Sequence, residues 1–228
     1  MKSPMFEAVI LMGGFGTRLN SISKGVPKSM MPVGGAPFVY LLLKKLEASG
    51  CQRIILSLHY RAQEIKSQIL RDKPVSCEIV FIIEETPLGT GGALKLAATC
   101  VANEHFIALN GDTYSSLNYE EFVDETKHKE FAIAGFKIEC ANRYGALNIN
   151  KGLLVGITEK GTQGPAIINS GTYLLSKSSL SRIKLTKFSF EDSFIPEYLG
   201  RAGVHVFEGI FFDIGVPDDY KLACRYFQ

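Results

Sequence analysis

Anion-handling residues are concentrated near the start of the chain, in Leu11-Met12-Gly13-Gly14-Phe15-Gly16-Thr17-Arg18-Leu19 followed by Pro27-Lys28 and Met31-Pro32-Val33. Glycines let backbone N–H groups approach an anion without a Cβ in the way, and an arginine and a lysine add charge-assisted hydrogen bonds. A short apolar run, Phe6 to Leu11, precedes the loop and reads as a buried strand. A glycine loop at a strand end is a candidate phosphate cradle. Two familiar versions are excluded by residue type. The dinucleotide fingerprint needs a third glycine where Leu19 stands and an acid where the second strand ends in Leu58-His59. The phosphate loop of the NTPases needs Gly-Lys-Ser or Gly-Lys-Thr, which is absent.

Acidic residues recur where later strands end. Glu84-Glu85 precedes Thr86-Pro87-Leu88-Gly89-Thr90-Gly91-Gly92. This reads either as a turn into a glycine-rich helix start or as a base reader, because one carboxylate can accept both N1–H and N2–H of guanine. Asn110-Gly111-Asp112 closes a fourth strand. There the aspartate is either a turn former or a magnesium ligand, since Mg²⁺ takes one or two carboxylates and completes its shell with phosphates and water. Asp213, before Ile214-Gly215-Val216-Pro217, is another strand-end acid. Tyr144-Gly145, Glu159-Lys160 and Asn169-Ser170-Gly171 are either loops or the lining of a sugar pocket. His59, His105, His128 and His205 share no metal-ligand spacing, and no Ser/His/Asp or Cys/His grouping points to a protein nucleophile.

These residues must be positioned by alternating strands and helices. Helices are predicted over Phe38 to Ala48, with Pro37 at its start and Gly50 as its stop, and over Ala62 to Leu70. Others run from the Gly91-Gly92 region through Ala98, and over Asn118 to His128. Strands are predicted over Arg53 to Leu58, Glu78 to Ile83 and His105 to Leu109. No hairpin signal interrupts this half, which implies parallel pairing with helices on both faces. From Phe131 the strands come closer together: Phe131 to Ile138, Ala146 to Ile149, Leu153 to Thr158 and Ala166 to Leu174. Short helices over Ser178 to Ile183 and Phe190 to Leu199 follow, then strands over Val204 to Phe207 and Ile210 to Phe212. A helix from Pro217 through Arg225 completes the pattern. The expected fold is α/β, a doubly wound and mostly parallel sheet with a small mixed or antiparallel insertion. No linker or repeat divides it, so residues 1–228 read as one domain, with a nucleotide half over about 1–130 and a sugar-phosphate half over about 131–228.

Composition narrows the partners. With 228 residues, 46% hydrophobic and 21% charged, the chain has enough material for one sizeable core. A net charge of +2, with acids and bases interspersed, excludes a nucleic-acid face, so anion binding must be local. No signal-peptide core or membrane-length apolar run is present, and the five cysteines form no Cys-x-x-Cys pair. A cytoplasmic protein with reduced thiols is the expectation, with no membrane partner, as a monomer or homodimer.

The ordered set Gly13-Gly14-Phe15-Gly16-Thr17-Arg18-Leu19, Pro27-Lys28-Ser29-Met30-Met31-Pro32-Val33, Glu85-Thr86-Pro87-Leu88-Gly89-Thr90, Gly111-Asp112 and Asp213-Ile214-Gly215 resembles the sugar-1-phosphate nucleotidylyltransferase family across nearly the whole chain. The resemblance implies a Rossmann-like nucleotide-diphospho-sugar transferase fold. It also implies a reaction of GTP with D-glycero-α-D-manno-heptose 1-phosphate that supplies surface polysaccharide such as capsule or lipopolysaccharide. Mannose 1-phosphate is the neighbouring acceptor. A uridylyl- or thymidylyltransferase and a non-catalytic nucleotide-sugar-binding regulatory homologue are the rival readings. By position, Leu11, Gly13, Gly14, Gly16, Thr17, Arg18, Glu85, Pro87, Gly89, Thr90 and Gly111 would bind the nucleotide, with Arg18, Lys28 and Asp112 catalytic. Asp112 and Asp213 would hold Mg²⁺. Tyr144, Gly145, Glu159, Lys160, Asn169 and Gly171 would bind the sugar phosphate. Ser21, Gly161 and Val216 depart from the family's usual residues at their positions. A sugar phosphate has a second pKa of about 6 and is largely dianionic at neutral pH, so it needs charge neutralisation and alignment more than a general base.

Overall fold

The computed structural model describes residues 6–14, 25–161 and 163–228. Gly16, Thr17, Arg18 and Ser21 lie outside the described residues. Phe6–Leu11 forms β1, a run apolar enough to be buried on both faces. Pro32–Val33 (β2) and Ala36–Pro37 (β3) form a small antiparallel hairpin that the sequence reading missed. Its turn residues Gly34 and Gly35 sit at φ +60° and +77°, the left-handed backbone a two-residue hairpin turn requires. Pro37 therefore closes a strand as well as preceding helix α1, Phe38–Ala48, which has the predicted bounds.

Cys51–Leu58 (β4), Ala62–Asp72 (α2), Glu78–Ile83 (β5), Gly89–Ala97 (α3) and His105–Asn110 (β6) continue the alternation. The short strand Thr113–Ser115 (β7) leads to α4, Tyr119–Thr126, where the Asn118 side chain accepts from the Glu120 and Glu121 amides and fixes the helix start. Next come Phe131–Ile138 (β8), Ala146–Asn150 (β9), Leu153–Thr158 (β10), Ala166–Ser176 (β11) and Lys177–Ser181 (α5). Gly203–Phe207 (β12), Phe211–Asp213 (β13) and Pro217–Tyr226 (α6) complete the set. The helix predicted over Phe190 to Leu199 is instead a wide turn, Phe190–Phe194, followed by a tight one, Ile195–Tyr198. Pro196 has no N–H to continue a regular ladder.

Nine strands form one sheet in the order β5-β4-β1-β6-β11-β8-β12-β10-β9. The first four are parallel, as the sequence implied. Beyond β6 the sheet is mixed, because β11 runs antiparallel to both β6 and β8, and β10 to both β12 and β9, while β12 is parallel to β8. The expectation of a mostly parallel sheet with a small insertion beside it is thus corrected. The closely spaced strands extend the same sheet because β11 pairs with β6 on one side and β8 on the other, and a connection as short as the Lys151-Gly152 turn makes β9 and β10 antiparallel neighbours.

Apolar layers cover both faces of the sheet. Ala8 and Ile10 pack with Phe38, Leu42, Ile65, Phe122 and Ala223 on one face, from α1, α2, α4 and α6. Val9 packs with Leu94, Ala97, Leu180, Phe190 and Phe194 on the other. In the parallel part, β4 and β5 lie to one side of β1 and β6 lies to the other. The strand order therefore reverses between β1 and β6, the position where open α/β sheets leave a crevice at the strands' carboxyl ends.

The start of helix α3 packs closely against residues 186–188 because Gly89, Gly91 and Gly92 carry no side chains. A Cβ on Gly92 would lie 2.4 Å from the Thr186 carbonyl oxygen and 2.8 Å from Leu88 Cβ. Gly92→Ala is expected to destabilise the fold by about 1–3 kcal/mol through overpacking, measured by urea denaturation.

Candidate active site

At the β1/β6 switch point lies a cavity of about 350 Å³. Leu11, Gly13, Gly14, Lys28, Pro87, Gly89, Thr90, Gly111 and Asp112 line it, all of them site residues implied by the sequence. The strand ends are laced together by backbone bonds: Gly111 N–H to the Leu11 carbonyl (2.9 Å), Met12 N–H to Ser57 (2.9 Å) and Glu84 N–H to Leu58 (2.9 Å). Gly111 has to be glycine, since a Cβ there would sit 2.6 Å from the Leu11 oxygen.

Three charged groups meet at one side of the cavity. Lys28, 14% exposed, places Nζ 3.4 Å from Asp112 Oδ2. Strand β13 pairs antiparallel with β7, Asp213 opposite Thr113, which carries Asp213 from the far end of the sequence to the residue after Asp112. Asp213 Oδ1 accepts from the Gly215 amide at 2.9 Å. The position a Cβ would take on Gly215 is 2.8 Å from Asp213 Oδ1, 3.1 Å from Lys28 Nζ and 3.4 Å from Asp112 Oδ2, so the three side chains converge on one point. Behind β7, Lys45 donates to the Ser115 carbonyl and lies over the rings of Tyr114 and Tyr119, 5.3 and 4.6 Å from their centres. Burial pulls its pKa down to about 8.

The two strand-end acids separate by environment. Glu84 is buried and lines the cavity, its Oε2 accepting the Leu88 amide at 3.0 Å and its Oε1 the Ser57 hydroxyl at 3.4 Å. Glu85, the acid implied by the resemblance, is exposed and lies outside the lining. Sequence reasoning also passed over His59, whose Nδ1 is 3.0 Å from the Glu84 carbonyl oxygen, together with Asn110 and Glu191. Asn110 stands beside Gly111-Asp112 and was within reach of the strand-end argument. Glu191 had no local signal, because it reaches the cavity through Thr90, whose hydroxyl donates to Glu191 Oε2 at 2.7 Å and accepts from the Phe190 amide.

The residues implied for the sugar phosphate gather at one end of the mixed strands. Thr158 is opposite Ala146 in the β9–β10 ladder, which puts Tyr144-Gly145 and Glu159-Lys160 at the same end; Glu159 and Lys160 are exposed. Ile168 of β11 is also opposite Ala146. Asn169 turns its amide inward, donating to the Tyr173 hydroxyl (2.9 Å) and accepting from the Gly171 amide (2.9 Å). Gly171, at φ +72°, comes so close to Asn110 that a Cβ would be 2.7 Å from its Nδ2. That end therefore adjoins the cavity.

Comparison with known proteins places this geometry. Residues 7–226 match the model of the nucleotidyl transferase family. The chain belongs to that family. Its relatives include a D-glycero-alpha-D-manno-heptose 1-phosphate guanylyltransferase of Campylobacter jejuni, 36% identical and covering 94% of this chain and 96% of the relative. A protein of the same description from Aneurinibacillus thermoaerophilus is 31% identical, over 97% and 98% of the two chains. Among solved structures, HddC from Yersinia pseudotuberculosis, complexed with GMP-PN, superposes with a TM-score of 0.93 at 45% identity, covering 98% of this chain and all of that one.

Placing a methyl group at the convergence point tests whether the three charges act together. Gly215→Ala is expected to lower nucleotidyl transfer by about two orders of magnitude while the melting temperature moves little, as pyrophosphate release and thermal denaturation will show.

Proposed function

We propose that the protein is a guanylyltransferase that joins GTP and D-glycero-alpha-D-manno-heptose 1-phosphate into a GDP-heptose with release of pyrophosphate. The observation that carries this reading is the convergence of Lys28, Asp112 and Asp213 beside a cavity at the β1/β6 switch point, in a chain similar over nearly its whole length to guanylyltransferases of that description. The product is an activated sugar of the kind that surface polysaccharides consume. No helix among the described residues is long and apolar enough to cross a membrane.

In the reaction an oxygen of the sugar phosphate attacks the α-phosphorus of GTP, a new P–O bond forms, and the bond to the pyrophosphate oxygen breaks. No proton need be abstracted from a dianionic acceptor, so the protein's task is alignment and neutralisation. Lys28 is held at the boundary between the cavity and Asp213, where it can neutralise charge shared by donor and acceptor phosphates. Asp112 and Asp213 fit a magnesium ion, because two convergent carboxylates leave its remaining positions to phosphates and water. Among the described residues no cluster of three or more His, Cys, Asp and Glu side chains forms a fuller metal cage. When bound there, the ion would supply Lewis-acid neutralisation of phosphate charge. Gly13 and Gly14 belong to the triphosphate side, and Gly16, Thr17 and Arg18 of the same loop are proposed to extend it.

Of the two candidate base readers, Glu84 fits better than Glu85. Its carboxylate faces the cavity and matches guanine's paired donors, whereas a uracil N3–H flanked by carbonyls would bring oxygen against oxygen. Tyr144, Gly145, Glu159, Lys160, Asn169 and Gly171 are proposed to surround the acceptor.

Pyrophosphate release across four nucleoside triphosphates and a panel of sugar 1-phosphates tests the assignment. GTP with the heptose phosphate is expected to give the highest kcat/KM, and activity confined to UTP or dTTP would overturn it. Lys28→Ala should reduce kcat by about 10²–10³ with the fold intact. Glu84→Gln should lower kcat/KM for GTP by about tenfold or more, the worth of one charged hydrogen bond, and Glu85→Gln should stay within about threefold of the parent.

A further inference from the structure

Asp219 lies in the first turn of α6, where acids favour the helix dipole and ordinarily face water. Its neighbour Asp218 does so, with 80% of its side chain exposed, but the Asp219 side chain is only 9% exposed. A buried carboxylate has to be compensated, and both of its oxygens are. Arg143 Nη2 donates to Oδ1 at 2.9 Å and the Tyr144 hydroxyl donates to Oδ2 at 3.0 Å. Asp219 is therefore the shared acceptor of two adjacent side chains. Its bonds tie the turn before β9 to α6, an element 75 residues away in sequence.

The tie lies next to the catalytic acids. Tyr144 packs edge-on against Phe211, ring centres 5.9 Å apart, and Phe211 stacks on Phe136 at 5.1 Å. Phe211 and Asp213 are two apart on β13 and so share a face. Burial and the Asp219 carboxylate push the Tyr144 phenol well above its ordinary pKa, with Asp213 adding to the effect. The Arg143 guanidinium lies over the Tyr144 ring at 5.5 Å and is half exposed. Asp219 takes one of its five N–H donors, which leaves a fixed cation beside the acceptor end of the site.

We propose that Asp219 is a positioning residue that holds Arg143 and Tyr144 on the acceptor side, where Arg143 contacts the phosphate of the sugar 1-phosphate. The assignment rests on the acceptor end proposed above. Its structural half is tested without substrate. Trypsin cleaves after Arg143, and cleavage of the Arg143–Tyr144 bond, read by mass spectrometry on the full chain, is expected to be at least about fivefold faster in Asp219→Ala than in the parent at equal global stability. An unchanged rate would refute the clamp. Should Asp219→Ala fail to fold, Asp219→Asn serves in its place.

The functional half is a split between substrates. Asp219→Ala and Arg143→Met are expected to raise KM for the sugar 1-phosphate about tenfold, with KM for GTP within about twofold, and Arg143→Lys should recover part of the loss. Equal shifts in both KM values, or a lowered melting temperature alone, would show a merely structural role. If the parent enzyme transfers to no sugar phosphate, the acceptor reading falls and the role of Arg143 with it, while the tryptic comparison still judges the clamp.

Discussion

Holding two carboxylates and an ammonium group at one point, from three separate stretches of chain, is the constraint to which the rest of this architecture answers. Asp112 and Asp213 repel each other, and nothing local in sequence keeps them together. The three-residue ladder between β7 and β13 does so, with Lys45 bracing β7 from behind and Lys28 reaching in from the segment after the glycine loop. The arrangement is most stable when cations fill the space between the acids, which is also what two phosphorylated substrates need in order to approach one another.

The same economy governs the glycines. At Gly111, Gly92 and Gly171 a side chain would collide with backbone or with Asn110, so these positions set how closely β1, β6, α3 and β11 can converge. The cavity is shaped by what those residues lack as much as by its polar groups. Because all nine strands belong to one sheet, the nucleotide and acceptor ends are joined by continuous hydrogen bonding.

Much of this could be read from residues alone, for reasons that are local. The apolar runs of β1, β5 and β8 and the Pro37–Gly50 bracket of α1 fixed those elements to the residue, and strand-end acids pointed to Asp112 and Asp213. The hairpin of β2 and β3 escaped because its strands are two residues long and offer no periodicity. The second half of the sheet was misjudged because hairpin spacing shows that neighbours are antiparallel without showing that they join the first sheet. Adjacent acids at 84 and 85 are equivalent as letters. Only the Glu84 amide, bonding to Leu58 beyond the formal end of β5, turns one inward and leaves the other outside. Glu191, Arg143 and Asp219 are recognised through partners 101 and 76 residues away and have no signature of their own.

The hairpin after Lys28 also bears on how the molecule is made. Its tip packs against α6: the Tyr220 hydroxyl donates to the Pro32 carbonyl at 2.8 Å across 188 residues of sequence, and a Cβ on Gly34 would meet the Phe227 carbonyl oxygen at 2.4 Å. Contacts of such separation form late, since their loop-closure entropy must be met by other structure first. Lys28 lies far upstream of α6 in the sequence, yet its supporting hairpin is completed only by contacts with α6. Without α6 the chain would hold β1 and Lys28 but not the anchor of the intervening hairpin, so the setting of Lys28 depends on a helix remote from it in sequence.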